Sequence, residues 1–204
     1  MFGSEAMGGV VNIITDDLLN ESKLSLGLNS EFGSYNKRKF SFKLSNNFKK
    51  FKYDFLISDE KSDNDYRFYF DNGIEKELRN KLNSAYKISN YTFSSDYQFS
   101  PSFNINYYTQ FVNADREIAG IETGNPPPDT RQLDKTWNNI LKLNYSKKNF
   151  TVYSDFNFQN NLQNYNTYPV LESYYKNVLL SNLNRVELIQ NKNSYTIGSE
   201  IQYA

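Results

Sequence analysis

The sequence predicts an all-β chain, an antiparallel meander of about nine strands forming part of a transmembrane β-barrel. Three observations carry that prediction. Aromatic side chains are abundant, 17 Tyr and 16 Phe, in a chain only 38% hydrophobic. Apolar residues recur with period 2, not 3.6. The connections alternate between tight turns and long polar loops.

The alternation is cleanest in four segments. Phe51, Tyr53, Phe55, Ile57; Phe103, Ile105, Tyr107, Thr109, Phe111; Phe150, Val152, Ser154, Phe156, Phe158; and Tyr195, Ile197, Ser199, Ile201, Tyr203 hold 16 apolar residues in 19 positions. The interleaved positions, such as Lys52, Asn104, Asp155 and Glu200, are apolar at only 3 of 15, namely Leu56, Tyr108 and Tyr153. Such separation gives a strand one greasy and one wet face.

Five further strands follow the same habit more loosely. Leu24, Leu26, Leu28 and Phe32 mark the first; Phe40, Phe42, Leu44 and Phe48 the second. Tyr91, Phe93, Tyr97 and Phe99 mark the fourth, and Trp137, Leu141, Leu143 and Tyr145 the sixth. The eighth, over 177–189, carries Leu or Val on both faces. Strands of roughly 9–13 residues result, a length that crosses a bilayer when tilted.

Short turns are expected near Asn46-Asn47, at Ser100-Pro101-Ser102, at Ser146-Lys147-Lys148-Asn149 and at Gln190-Asn191-Lys192-Asn193. Long loops are expected at about 58–79, 115–134 and 160–176, with the connection at Gly33-Ser34-Tyr35-Asn36 short for its side. Tight turns at one end and long loops at the other are how outer-membrane barrels are built. Phe48 and Phe51, Phe99 and Phe103, Tyr145 and Phe150 bracket three of the turns, where a ring suits the lipid headgroup boundary. A soluble antiparallel sheet also enriches Tyr and Phe; the alternating loop lengths favour the membrane wall.

Composition excludes other classes. With 23 basic and 23 acidic side chains the net charge is zero, so no nucleic-acid partner is expected. Cys and His are absent, which removes disulfides, thiolate metal sites and the commonest general base. No enzyme activity, cofactor or metal is expected. No run approaches the roughly 18 apolar residues of a membrane-spanning helix. Met1 to Ala6 shows neither a basic nor an apolar leader region, so an envelope protein with this sequence needs a leader outside it.

Two loops invite functional readings. Loop 58–79 carries Asp59, Glu60, Asp63, Asp65, Asp71, Glu75 and Glu77. Carboxylates this dense suit Ca²⁺, but Asp63-Asn64-Asp65 lacks the Gly and Glu of an EF-hand, so a solvated extracellular loop is expected. Gly124-Asn125-Pro126-Pro127-Pro128-Asp129 is a stiff, donor-poor stretch expected to brace its loop, the alternative being a cap over the barrel mouth that contacts ligand.

Residues 2–15 read Phe-Gly-Ser-Glu-Ala-Met-Gly-Gly-Val-Val-Asn-Ile-Ile-Thr. This resembles the closing segment of the plug in TonB-dependent receptors, an aromatic-Gly-Ser-x-Ala-x-Gly-Gly-Val run leading into the first barrel strand. Phe2, Gly3, Ser4, Ala6, Gly8, Gly9 and Asn12 carry the match. Phe2 stands where Tyr is more usual. Gly3, Gly8 and Gly9 allow close backbone approach, so these residues are expected to set plug geometry and not to touch ligand.

The resemblance implies the rest. Residues 1–20 would close the plug and link it to the barrel, and 21–204 would begin the wall, about nine strands of about 22. The parent would lie in the bacterial outer membrane among its lipids. It would import a ferric siderophore, cobalamin or glycan, a small-molecule or glycan ligand, with energy from TonB acting on a segment missing here. Alternatives are a passive porin-like channel, which shares the strands but not the segment 2–15, and a surface β-sheet binding protein or adhesin, which predicts a Val- and Leu-rich buried face.

Overall fold

A computed structural model describes residues 24–71, 73–120, 129–167, 171–190 and 193–203. The segment 2–15 and Pro126-Pro127-Pro128 lie outside the described residues. Eleven strands form: β1 Ser25–Phe32, β2 Arg38–Phe48, β3 Phe51–Ser62, β4 Arg67–Asp71, β5 Lys76–Asn80, β6 Tyr86–Ser100, β7 Phe103–Glu117, β8 Thr130–Lys147, β9 Phe150–Thr167, β10 Leu171–Gln190 and β11 Asn193–Tyr203. Nine of them make one sheet in the order β1-β2-β3-β6-β7-β8-β9-β10-β11, every pair antiparallel. β4 and β5 pair separately, as a hairpin inside the connection from β3 to β6.

The all-β meander and its nine strands are as expected; several boundaries are not. The first turn falls at Lys49-Lys50, because Asn46 and Asn47 pair with Tyr53 and Lys52. The segment 160–176 is not a long loop: Thr167 pairs with Leu171, and β9 and β10 run to 18 and 20 residues. Loop 58–79 is partly strand for the same reason. Tyr, Asn and Gln on both faces suit a ladder bathed by water on both sides, which period-2 hydrophobicity does not mark. The lengths therefore exceed the 9–13 residues expected.

Lys49 and Lys148 hold left-handed backbone, φ 52° each, in two-residue turns. The next strand closes over each turn: Gln98 and Ile189 donate to the carbonyls of Lys50 and Asn149 at 2.8 Å.

Register brings the apolar sets of the separate strands onto one face. Leu26, Leu44, Phe55, Phe93, Thr109, Asn139, Phe158, Leu180 and Tyr203 form one continuous row. Measured down from that row, Phe51 is four residues away, Phe103 six, Phe150 eight and Asn193 ten. The short turns thus step by two residues per hairpin, one per strand. An offset of one residue per strand spacing makes the line of turns level only when strands tilt by about 35°. Closed β-barrels also carry a stagger between strands.

Nothing packs on either face among the described residues. Ala114 is the sole buried hydrophobic side chain there, and no large side chain is fully buried. The sheet stays open, with β1 and β11 as its edges.

Candidate functional site: the two faces and the long-connection rim

The faces differ in charge. On the aromatic face, charges gather towards the long connections: Arg38, Asp59, Lys61, Lys87, Asp115, Arg131, Lys135 and Lys176. Below them the face is uncharged from Ile57 to Phe51 on β3, Ser89 to Tyr97 on β6, Asn113 to Phe103 on β7, Trp137 to Tyr145 on β8 and Val178 to Leu188 on β10. Most of these stretches match the 9–11 residues of a tilted membrane strand. Rings lie edge to face or tilted across the band, as in Phe51–Tyr97 and Trp137–Phe158 at 6.3 and 5.4 Å between centroids.

This band is not purely apolar. Tyr107 donates its hydroxyl to Asn139 Oδ1 at 3.0 Å, and Ser154 to Asn184 Oδ1 at 2.6 Å. Asn139 Nδ2 and the Oδ1 atoms of Asn113, Asn160 and Asn164 find no partner among the described residues.

The opposite face lines a groove of about 980 Å³. Strand alternation sends Lys43, Asp54, Asp96, Lys142, Asp155 and Arg185 into it. Lys43 Nζ lies 3.7 Å from Asp54, which also accepts from the Ser45 hydroxyl. Asn144 donates to Asn106 at 3.0 Å and Asn106 to Asp96 at 2.7 Å. The Arg185 guanidinium stacks 4.4 Å over the Tyr153 ring. Alternating charges and amides on partly exposed positions make a wet lining for water and polar solutes.

Where the strands rise above the uncharged band, side chains clamp neighbouring strands. Arg131 grips Asp115 with two bonds of 2.6 Å. On the polar face Asp134 accepts from Arg116 at 2.5 Å, from Gln132 and from Gln163 at 3.0 Å. Glu60 accepts from Tyr86 at 2.8 Å and lies 3.4 and 3.5 Å from Lys37 and Lys39. The bonded Arg131 guanidinium holds the Asp115 carboxyl below the usual carboxylate range, against a smaller opposing effect of burial.

The sign of the pH dependence follows. A carboxyl depressed by folding contributes stability that is present above its unfolded pKa, about 3.9, and is lost as pH falls through the lower folded value. Asp115→Asn is expected to cost about 0.5–1 kcal/mol at neutral pH, since Arg131 is well exposed. It should also flatten the acid response of this rim. Amide exchange at residues 115–117 and 130–132, followed from pH 6 down past about 4, checks both; an unchanged acid response in the variant excludes the clamp.

The plug-end residues Phe2, Gly3, Ser4, Ala6, Gly8, Gly9 and Asn12 lie outside the described residues. The carboxylates of loop 58–79 do not converge. Asp59 accepts from Ser89 at 2.5 Å, Asp63 from Asn36 at 2.8 Å, Asp71 from the Gly73 amide at 2.9 Å, and Glu77 from Arg79 at 2.7 Å. No three metal-ligating side chains come together among the described residues. The clamps were not foreseen, although an Asp-Arg pair at 115–116 facing Arg131 and Asp134 across one loop was a readable hint. No family model matches the chain, and no curated protein is similar to it.

Proposed function

We propose that the chain is wall, and at residues 2–15 the end of the plug, of a TonB-dependent outer-membrane transporter that imports a scarce ligand. The observation that carries this is the uncharged aromatic band on a sheet staggered by one residue per strand. A lipid-facing band of that kind, a wet opposite face and short turns at one end are the features of an outer-membrane barrel. The segment 2–15 supports the energised transporter, since it resembles a plug end standing before the first strand. In this reading the long connections face outward, the short turns face the periplasm, and TonB supplies energy from the inner membrane.

The wet groove of about 980 Å³ favours a second reading, a passive channel. Planar-bilayer recording and binding to the periplasmic domain of TonB separate the two. The full-length protein is expected to bind that domain and to conduct little until denaturant loosens the plug. Steady conductance without denaturant, together with no TonB binding, replaces the transporter with the channel. Failure to fractionate with outer membranes removes both.

A further inference from the structure

The short-turn end carries a chemistry that the transport reading leaves unused. Its turns hold Lys49-Lys50, Pro101-Ser102 and, with the last residue of β8, Lys147-Lys148. All four lysines are exposed, and none is in an ion pair among the described residues. The acids of this end, Asp54, Asp96 and Glu187, stand on the polar face by register.

Lys147 and Lys49 stand on the aromatic face, with Lys50 and Lys148 beside them in the turns. Lys147 pairs with Phe150 and so shares its face. Lys49 Nζ sits 5.6 Å from the centre of the Phe48 ring, and Lys50 Nζ is 3.4 Å from the Phe99 carbonyl. With strands tilted as the stagger requires, both clusters lie at one level, about 20 Å apart along the rim. Immediately above them on this face come Phe51, Phe103, Tyr145 and then only uncharged residues. Cations at the edge of an apolar band, with no carboxylate on that face to neutralise them, match a layer of phosphate groups over acyl chains.

We propose that Lys49, Lys50, Lys147 and Lys148 form a collar that selects anionic phospholipid in the leaflet on the short-turn side. The collar rests on the barrel reading, because a soluble sheet has no lipid boundary there. It is a distributed, annular preference and not a single pocket. Lysine ammonium groups act as point charges on the lipid phosphates, so the preference falls with ionic strength.

The test reconstitutes the full-length protein in phosphatidylcholine vesicles carrying trace spin-labelled phosphatidylglycerol or phosphatidylcholine. The motionally restricted fraction of each label gives their relative association with the protein surface. Phosphatidylglycerol is expected to be favoured about threefold to tenfold at low salt, where one lysine near an anionic surface is worth about fivefold. The preference should vanish near 1 M salt, where screening is within about 3 Å, and in the Lys49→Gln, Lys50→Gln, Lys147→Gln, Lys148→Gln variant. Equal association of the two labels with the unaltered protein at low salt overturns the collar and leaves the barrel standing. A preference that survives both salt and the variant also overturns it. No restricted component with either label removes the barrel reading itself.

Discussion

On the barrel reading proposed above, Phe93→Arg is expected to abolish assembly into the outer membrane, while Thr92→Arg, one residue away, leaves it nearly intact. Phe93 stands on the aromatic face of β6, six residues from Lys87 and seven from Ser100, near the middle of the uncharged stretch. Its ring lies 6.3 Å from that of Tyr107. An arginine at the midplane of a lipid-facing barrel wall costs about 2–4 kcal/mol. Loss of the half-buried ring adds about 1–2 kcal/mol. The sum, about 3–6 kcal/mol, reaches the lower end of an ordinary domain's stability, about 5–15 kcal/mol.

Thr92 lines the wet groove, where its hydroxyl makes a 3.4 Å contact with Asn90 and a hydrogen bond with the partly exposed Tyr108. A charge there keeps its water, so the change is expected to stay within about 1 kcal/mol. Heat-modifiable mobility on gels and urea unfolding in vesicles measure both variants. Equal effects from the two would mean that the faces do not meet different solvents.

The chain of 204 residues by itself is expected to aggregate in detergent-free buffer. Its two edge strands expose unpaired backbone and large apolar side chains, with Leu28 86% and Ile197 77% accessible. Self-closure does not relieve this. In a nine-stranded antiparallel meander the first and last strands run in the same direction, so β1 and β11 could meet only as a parallel pair. An antiparallel wall closes on an even number of strands. A monodisperse, β-rich monomer in sedimentation without detergent would show that the aromatic face needs neither lipid nor further strands, and the transporter proposal would fall with it.

Both expectations turn on which side chains share a face, and the two levels of structure contributed differently to that. Alternation at Phe51 to Ile57, Phe103 to Phe111, Phe150 to Phe158 and Tyr195 to Tyr203 was legible because side-chain direction has period 2 along any extended strand. The turns at Pro101 and Lys148 were legible because they interrupt that alternation. The ends of β9 and β10 were not, since Asn, Gln and Tyr on both faces leave no apolar contrast to count. The hairpin of β4 and β5 was missed because its strands are only five residues long and carry Arg67, Asp71, Lys76, Glu77 and Arg79, which read as a solvated loop. The clamps of Asp115 with Arg131 and of Asp134 with Arg116 depend on residues 16 and 18 positions apart meeting across a ladder.

By itself, then, the amino-acid order determined that this is a meander of strands with one aromatic and one wet face. Tertiary structure alone decided the register. Each strand's pattern is unchanged by a two-residue slide against its neighbour, which keeps every side chain on its face. Only the paired backbone therefore set the step of one residue per strand, and with it the stagger of the short turns and the open edges.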